Sequence, residues 1–481
     1  MKLFKLISEL SVKSKPENDI EITSICYDSR KVTKGSCFIC LSGTKFDGHE
    51  YASLAQQSGA SVIVAEHQTE STLPHIIVED TRVAMFELSA MWFGHPERKM
   101  RFIGITGTNG KTSAAFYIKS ILDRLGKKTG LIGTVSNMIG DKTLPSTVTT
   151  PEPYALFELL SLMCKEGVEF VVMEVSSHSI VQKRVCGIKF DVAVFTNLTQ
   201  DHLDYHVTME NYKLAKRELF DMTKAAVINI DDAAGREFAE YVKCDKLTYS
   251  TIYNKADFVA KDIKLRSSGV KFCAVTTGGI ANVSAPTPGS FAVYNLLCAV
   301  GCVVALGFEL SQISPFILNM EGVKGRAEII SGDRPYTVLI DYAHTPDGLE
   351  NILKSVKEFA KGRVITLFGC GGDRDKTKRP EMGKIACEYS DFAIVTSDNP
   401  RTEQPMDIIE DILVGLKGTK TPYKVIENRR DAIRYAIEIA NESDVVVLAG
   451  KGHENYQIIG TEKTDFNEHE IAIEYMKELG K

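Results

Sequence analysis

At 481 residues the chain is long enough for about three domains of ordinary size. Its 44% hydrophobic and 25% charged residues are ordinary for a soluble globular protein. With 57 basic and 63 acidic residues the net charge is −6, which argues against a general nucleic-acid or anionic-membrane surface; an anionic substrate would have to be held by local groups.

No apolar run approaches the roughly 20 residues of a membrane span, and residues 1–12 are too polar for a secretory signal. We therefore expect a cytoplasmic protein with no membrane or nucleic-acid partner, and, with no coiled-coil pattern, a monomer. The 11 cysteines lack framework spacing and read as reduced core residues. Cys37 and Cys40 form a C-x-x-C in a strand-like run, where positions three apart point to opposite faces, so a shared metal is not expected.

Three segments follow in chain order: 1–98, 99–328 and 329–481. The first has short strands at 20–27, 36–41, 61–64 and 75–78 with a helical stretch at 51–57, then a linker at His95-Pro-Glu. The second alternates strands (101–106, 169–175, 191–196, 225–229) with helices. The helix from Lys111 places Ala114, Ile118, Ile121, Leu122 and Leu125 on one face, as packing on a sheet requires. The third alternates again, with strands at 337–341, 363–368, 392–396 and 444–448. Buried strands separated by helices imply an α/β chain with mostly parallel sheets, whose ligands lie at the carboxyl ends of the strands.

The chemistry-bearing residues stand at those ends. Gly104-Ile-Thr-Gly-Thr-Asn-Gly-Lys-Thr-Ser113 follows a strand and opens a helix. Backbone N–H groups at Gly107, Thr108, Asn109 and Gly110 can approach a phosphate, Lys111 adds charge, and the Thr112 hydroxyl, with Ser113 beside it, can reach Mg²⁺. The run departs from G-x-x-x-x-G-K-[ST] because Ile105 replaces the first glycine. Further along, Glu174 ends an apolar strand, where a carboxylate is costly unless paired or bound to a cation. Asp201-His202-Leu-Asp204-Tyr-His206 follows the next strand end. Oxygen groups and one imidazole near phosphates suit Mg²⁺ rather than zinc, but acids capping a helix explain these residues equally well.

GTNGKTS, the EVSSH run, TNLTQDHLDYH with Lys216 after it, DYAHTP and AGKGHE together resemble the Mur ligases, over about 27–456. Within that family they are most similar to enzymes adding the third amino acid to UDP-N-acetylmuramoyl-L-alanyl-D-glutamate, a peptidoglycan precursor. The resemblance implies a UDP-binding first domain, a central ATPase domain and a Rossmann-like third domain that receives the amino acid. It implies that ATP phosphorylates the D-glutamyl carboxylate and that an amine then attacks the acyl phosphate. It places magnesium on Glu174 and His202, with a carbamylated Lys216 in support; a solvated helix lysine is the alternative. It places ATP also on Asn295, Asp341 and His344. The precursor falls on Tyr27, Ser29, Thr44-Lys45-Phe46, Thr149, Thr150, Ser176, Gln182 and Arg184.

Asp398-Asn399-Pro400-Arg401 follows the 392–396 strand. Arg401 offers a planar fork for a carboxylate, Arg374 in GGDRD a second, and Glu454 with the Gly450 backbone can take an ammonium. Two guanidiniums and an acid suit meso-diaminopimelate, and D-N-P-R resembles the diaminopimelate-adding enzymes. The alternatives are L-lysine as the added amino acid, a folylpolyglutamate synthetase-like ligase, and a nucleotide-binding protein without catalysis.

Overall fold

A computed structural model of the chain describes residues 1–43, 46–332 and 334–480. Its three principal sheets are mostly parallel and follow one another along the chain. The first has four parallel strands in sequential order, Ser24–Cys26, Ser36–Ile39, Ala60–Ala65 and His75–Ile77. Cys37 packs into one of its apolar clusters and Cys40 into the other, on opposite faces as the period of a strand requires.

The second sheet has 11 strands. Arg101–Thr106 lies at its centre, flanked in parallel by Phe190–Phe195 and Phe170–Glu174. These strands are buried almost end to end because helices cover both faces. Helices Lys111–Arg124 and Ser290–Ala305 pack on one face, with Ala114, Ile118, Ile121 and Leu122 fully buried. Pro153–Lys165 packs on the other through Leu156, Phe157 and Leu160. Each such aliphatic or aromatic side chain contributes roughly 1.5–3 kcal/mol by leaving water. The sheet is not parallel throughout. Phe258–Arg266, Gly269–Thr276 and Gly279–Ala285 form an antiparallel meander at one edge, and Asn137–Ile139 with Lys142–Leu144 an antiparallel extension at the other. The strand–helix alternation expected for this segment thus stops short of its end.

The third sheet places Val445–Ala449, the last of its strands in sequence, between Thr337–Asp341 and Val364–Phe368. Phe392–Val395 follows at the side of Val364–Phe368. The insertion of a late strand between two early ones opens a crevice at their carboxyl ends, where four loops meet. Among the described residues no helix is long and apolar enough to cross a membrane.

Candidate active site

Residues 107–110 turn from the central strand into the Lys111 helix, and two glycines make the turn possible. Gly107 has φ +146°, and a methyl group there would lie 1.8 Å from Thr196 Oγ1. Gly110 has φ +84°, and its methyl would lie 2.3 Å from Asn295 Oδ1, so Asn295 packs directly on the loop. The end of the neighbouring strand pins the loop. Asn197 O accepts from Thr108 N and Asn197 Oδ1 from Asn109 N, both at 2.9 Å, while Thr196 Oγ1 donates to Asn109 O at 2.6 Å. Lys111 Nζ donates to Gly107 O (2.9 Å) and Thr108 O (2.8 Å). Burial lowers its pKa, although Glu174 and Asp201 counter the shift.

Glu174 is fully buried at the end of its strand. Its Oε2 accepts from the hydroxyls of Thr112 and Thr134, each at 3.0 Å, and its Oε1 from Thr134 N at 2.9 Å. Gly133 gives it room, because a methyl there would lie 2.4 Å from Oε1. Lys216 is also buried, with Nζ donating to Gly107 O at 2.9 Å and lying 4.3 Å from the Tyr212 ring centre. Burial, with Lys111 beside it, brings its pKa well below that of an ordinary lysine. His202 has a left-handed backbone, φ +54°, and its ring packs edge-on to His178 at 4.8 Å. Desolvation, helped by Lys111 and Lys216 and opposed by Asp201, lowers its pKa and keeps an imidazole lone pair available. A hydroxyl, a carboxylate and a neutral imidazole fit an oxygen-seeking cation beside phosphates. Among the described residues no cluster of three His, Cys, Asp or Glu side chains could hold a metal, so any such ion needs phosphate oxygens or a changed Lys216 as well.

Two groups reach this loop from beyond the central sheet. Asp347 Oδ2 accepts from Asn109 Nδ2 at 2.6 Å and from Thr199 Oγ1 at 2.8 Å. Arg326 Nη2 donates to Thr112 Oγ1 at 3.2 Å, its guanidinium lies 4.9 Å from the Tyr342 ring centre, and its buried Nε has no hydrogen-bond partner. Arg326 carries no sequence signal, and although Asp347 directly follows the DYAHTP run, nothing in the sequence ties it to Asn109. Asp341 lies behind Arg326 and accepts from Ala327 N (2.7 Å) and Ala343 N (2.8 Å). His344 is exposed, with Nδ1 2.8 Å from Tyr342 O.

The expected precursor residues form a connected group next to Glu174. Thr150 Oγ1 donates to Glu174 O (2.8 Å) and accepts from Ser176 N (3.1 Å). Arg184 donates to Thr150 O (2.8 Å) and Gln182 Oε1 (2.6 Å), and pairs with Glu152 (2.7 Å). Thr149 Oγ1 lies 3.0 Å from Thr134 Oγ1. Tyr27 comes from the first sheet into the field of Glu152 and Arg184; burial first, then Glu152, raises its phenol pKa. Ser29 opens a short helix capped by Asp28. Thr44 and Lys45 lie outside the described residues, while Phe46 is largely exposed.

In the third sheet, Arg374 and Arg401 flank one glycine. A methyl on Gly371 would lie 2.9 Å from Arg401 Nη1 and 3.9 Å from Arg374 Cγ. Their two loops are tied by Gly372 N to Asn399 O (2.9 Å), Arg401 Nη1 to Gly372 O (2.7 Å) and Asp373 N to Glu403 Oε1 (2.6 Å). Arg401 and Asp373 both take left-handed backbones. Pro400 stands between Asn399 and Arg401, and its carbonyl oxygen would meet a methyl on Gly372 at 1.9 Å. Asp398 accepts from Asn399 N at 2.7 Å, whereas its buried Oδ2 has no hydrogen-bond partner and would lie 2.8 Å from a methyl on Gly450. Burial opposes its ionisation, but Lys451 and Arg429 outweigh that and hold its pKa below the usual range. Glu454 is less free than the sequence suggests, because it accepts from Asn399 Nδ2 (2.9 Å) and pairs with Lys451 (3.4 Å). Buried Arg429 braces both loops from below, donating to Ala449 O and to Glu468 at 2.7 Å each.

Three family descriptions match successive parts of the chain. They are the Mur ligase family catalytic domain over residues 21–90, the Mur ligase middle domain over 105–303 and the Mur ligase glutamate ligase domain over 325–452. A Caldanaerobacter subterraneus subsp. tengcongensis protein named UDP-N-acetylmuramoyl-L-alanyl-D-glutamate–2,6-diaminopimelate ligase is 47% identical over 484 residues, covering 100% of each chain. A Clostridium botulinum protein of the same name is 46% identical over 486 residues, again covering 100% of each. A solved structure bearing that ligase name is similar over 100% of both chains, with a TM-score of 0.71 at 32% identity. Mycobacterium tuberculosis folylpolyglutamate synthase, complexed with ADP and AMPPCP, has a TM-score of 0.63 over 77% of this chain and 92% of its own. At 18% identity that likeness is one of fold.

Proposed function

The chain belongs to the Mur ligase family, and from that premise we propose that it joins meso-diaminopimelate to the D-glutamyl carboxylate of UDP-N-acetylmuramoyl-L-alanyl-D-glutamate, consuming ATP. The three units would be 1–98 for the precursor, 99–328 for ATP and 329–481 for the amino acid. The protein would act in the cytoplasm as a monomer, in peptidoglycan precursor synthesis. The observation that carries the choice of amino acid is the Arg401 guanidinium and the stem of Arg374 beside Gly371, next to Asp398, Asn399 and Glu454, with the exposed Arg374 guanidinium donating to Asp373 O at 2.9 Å. Two guanidiniums match two carboxylates, and the acids match an ammonium.

A carboxylate is a poor electrophile, and phosphorylation gives it a leaving group. The backbone N–H groups of 107–110 would cradle the triphosphate, and Lys111 would leave its two carbonyl partners for phosphate oxygens. Thr112, Glu174 and His202 would hold magnesium, which supplies positive charge that offsets crowding among the phosphates. Lys216 fits carbamylation because its lowered pKa favours the neutral amine. Its nitrogen can bond to the carbon of CO₂ and release a proton, replacing a buried cation with an anion. Asn295 would meet the base, and Asp341, His344 and Arg326 would face ATP from the third unit. Tyr27, Ser29, Thr149, Thr150, Ser176, Gln182 and Arg184 would hold the precursor.

The test is phosphate release from ATP with the UDP-linked dipeptide and a panel of amino acids. Release should require both the dipeptide and diaminopimelate. Equal or faster release with L-lysine would remove the specificity claim, and release with folate in place of the dipeptide would remove the reaction itself.

A further inference from the structure

We propose that Lys451 is a positioning residue that sets the selectivity of this site for diaminopimelate over L-lysine, acting through Asn399 and Glu454; the proposal rests on the ligase reading above. Lys451 exposes 0% of its surface, although a lysine following a glycine in a loop would ordinarily be solvated. Its Nζ meets Tyr456 O at 2.8 Å, Asn399 Oδ1 at 2.9 Å and Glu454 Oε2 at 3.4 Å. An ammonium has three N–H donors, so none remains for a ligand. Lys451 therefore makes no hydrogen bond to a ligand itself and can act only through the groups it holds and through its charge.

It decides which way Asn399 faces. Asn399 Oδ1 accepts from Lys451 Nζ and from Ile458 N at 3.0 Å, while Asn399 Nδ2 donates to Glu454 Oε2 at 2.9 Å. Turning the amide over would set its NH₂ against two donors and its oxygen against a carboxylate. Three unmade buried interactions make that orientation inaccessible. With one Nδ2 hydrogen given to Glu454, the second Asn399 N–H is the one left for a ligand, next to Glu454, whose Oε1 accepts from Tyr456 Oη at 3.4 Å. The hairpin of Tyr456–Ile459 and Glu462–Asp465 closes the arrangement, since Arg401 N donates to Ile458 O at 3.1 Å and Gly460 N to Arg401 O at 2.7 Å. Lys451 thus stands at the junction of the loop carrying Asp398 to Arg401 and the loop carrying Gly450 to Glu454.

Its charge acts in the same direction. Meso-diaminopimelate carries two carboxylates and two ammonium groups at neutral pH, with no net charge, whereas L-lysine carries one excess positive charge. A buried cation under Asn399 and Glu454 repels that excess at a depth where water screens it poorly. Removing the cation should favour lysine and, by unlocking Asn399, disfavour diaminopimelate.

The experiment compares the full-length native protein with Lys451→Met, which keeps the length of the side chain but leaves Asn399 Oδ1 and Glu454 without their buried cation and so lowers stability. For each, kcat/KM is measured for diaminopimelate and for L-lysine, together with KM for ATP and for the UDP-linked dipeptide. The diaminopimelate-to-lysine ratio should fall about tenfold or more, the scale of one charged hydrogen bond, with both other KM values held. Should Lys451→Met not accumulate as folded protein, Lys451→Gln carries the same measurement, being neutral yet still a donor. Equal losses for the two amino acids, or an unchanged ratio, would overturn the proposal and leave the ligase reading intact. A native protein that makes no amide product with either amino acid would overturn the ligase reading and this proposal together.

Discussion

Lys111 and Lys216 donate to the same backbone oxygen, that of Gly107, each at 2.9 Å. Two ammonium groups sharing one carbonyl in a buried pocket repel each other, and burial first, then Lys111, weakens the hold of Lys216 on its proton. The arrangement suits a phosphate loop in which one lysine turns to the triphosphate and the other gives up its charge.

The first prediction concerns that second lysine. Lys216→Met should fold, since the site is enclosed and the lengths match, but turnover should fall by about 10² or more, the scale of losing one transition-state charge interaction. Lys216→Arg should fare no better, because a guanidinium stays charged and cannot add CO₂. The pKa of Lys216 is lowered, so its neutral amine persists to lower pH than that of a surface lysine; carbamate read by intact mass should persist at neutral pH and fall as acid protonates the amine. Full activity of Lys216→Met would remove the role.

A second prediction concerns the bridge between the phosphate loop and the third sheet's domain. Asp347 accepts from Asn109 and Thr199, so Asp347→Ala frees the loop from the helix Pro346–Phe359. The loss of two hydrogen bonds to one carboxylate should raise KM for ATP about tenfold, with a smaller change in kcat. Steady-state kinetics at saturating dipeptide and amino acid measure it. An unchanged KM for ATP would make the bridge incidental.

Much of the site is legible in the sequence because strand ends are legible. Apolar runs such as Val445–Ala449 announce buried parallel strands, and the glycines, Glu174 and Asp398 stand immediately past or at their ends. What escapes notice has no local pattern. Strand Phe258–Arg266 carries Lys261, Asp262, Lys264 and Arg266, which read as a polar loop, and a bulge interrupts its pairing between Lys261 and Lys264. Asp347 and Asn109 meet across 238 residues, and Arg326 finds Thr112 across 214. Lys451 and Arg429 look solvated in sequence, and only their acceptors, brought in from other elements, explain their burial.

The third prediction bears on the arginine fork. Arg401→Ala should raise KM for diaminopimelate by about 10–10², the range for losing one or two charged hydrogen bonds, while KM for ATP stays near its native value. Arg401→Lys should restore little, because a point charge cannot reproduce the planar fork. Gly371→Ala tests the same geometry with both arginines retained, since its methyl would press on Arg401 Nη1 at 2.9 Å. Parallel losses for ATP and diaminopimelate in these variants would point to a damaged fold.

The last prediction is one of stability against pH. Glu403 holds the two arginine-bearing loops together: it accepts from Asp373 N and pairs with Arg379 at 2.8 Å and Lys376 at 3.0 Å. The Arg379 hydrogen bond, followed by the Asp373 N–H and Lys376, brings its pKa from 4.5 down to about 2. The folded state therefore binds a proton on Glu403 more weakly than the unfolded chain does. The resulting stabilisation is fully present above pH 4.5 and is lost as pH falls through about 2. The shift corresponds to about 3 kcal/mol, and solvent screening of a side chain 16% exposed reduces that to roughly 1–2 kcal/mol. Glu403→Gln should accordingly unfold at lower denaturant concentration than the native protein at pH 7, with the gap closing between pH 4.5 and 2. Chemical denaturation across that range measures it, and a gap that stays constant with pH would show that Glu403 acts by packing and not by its charge.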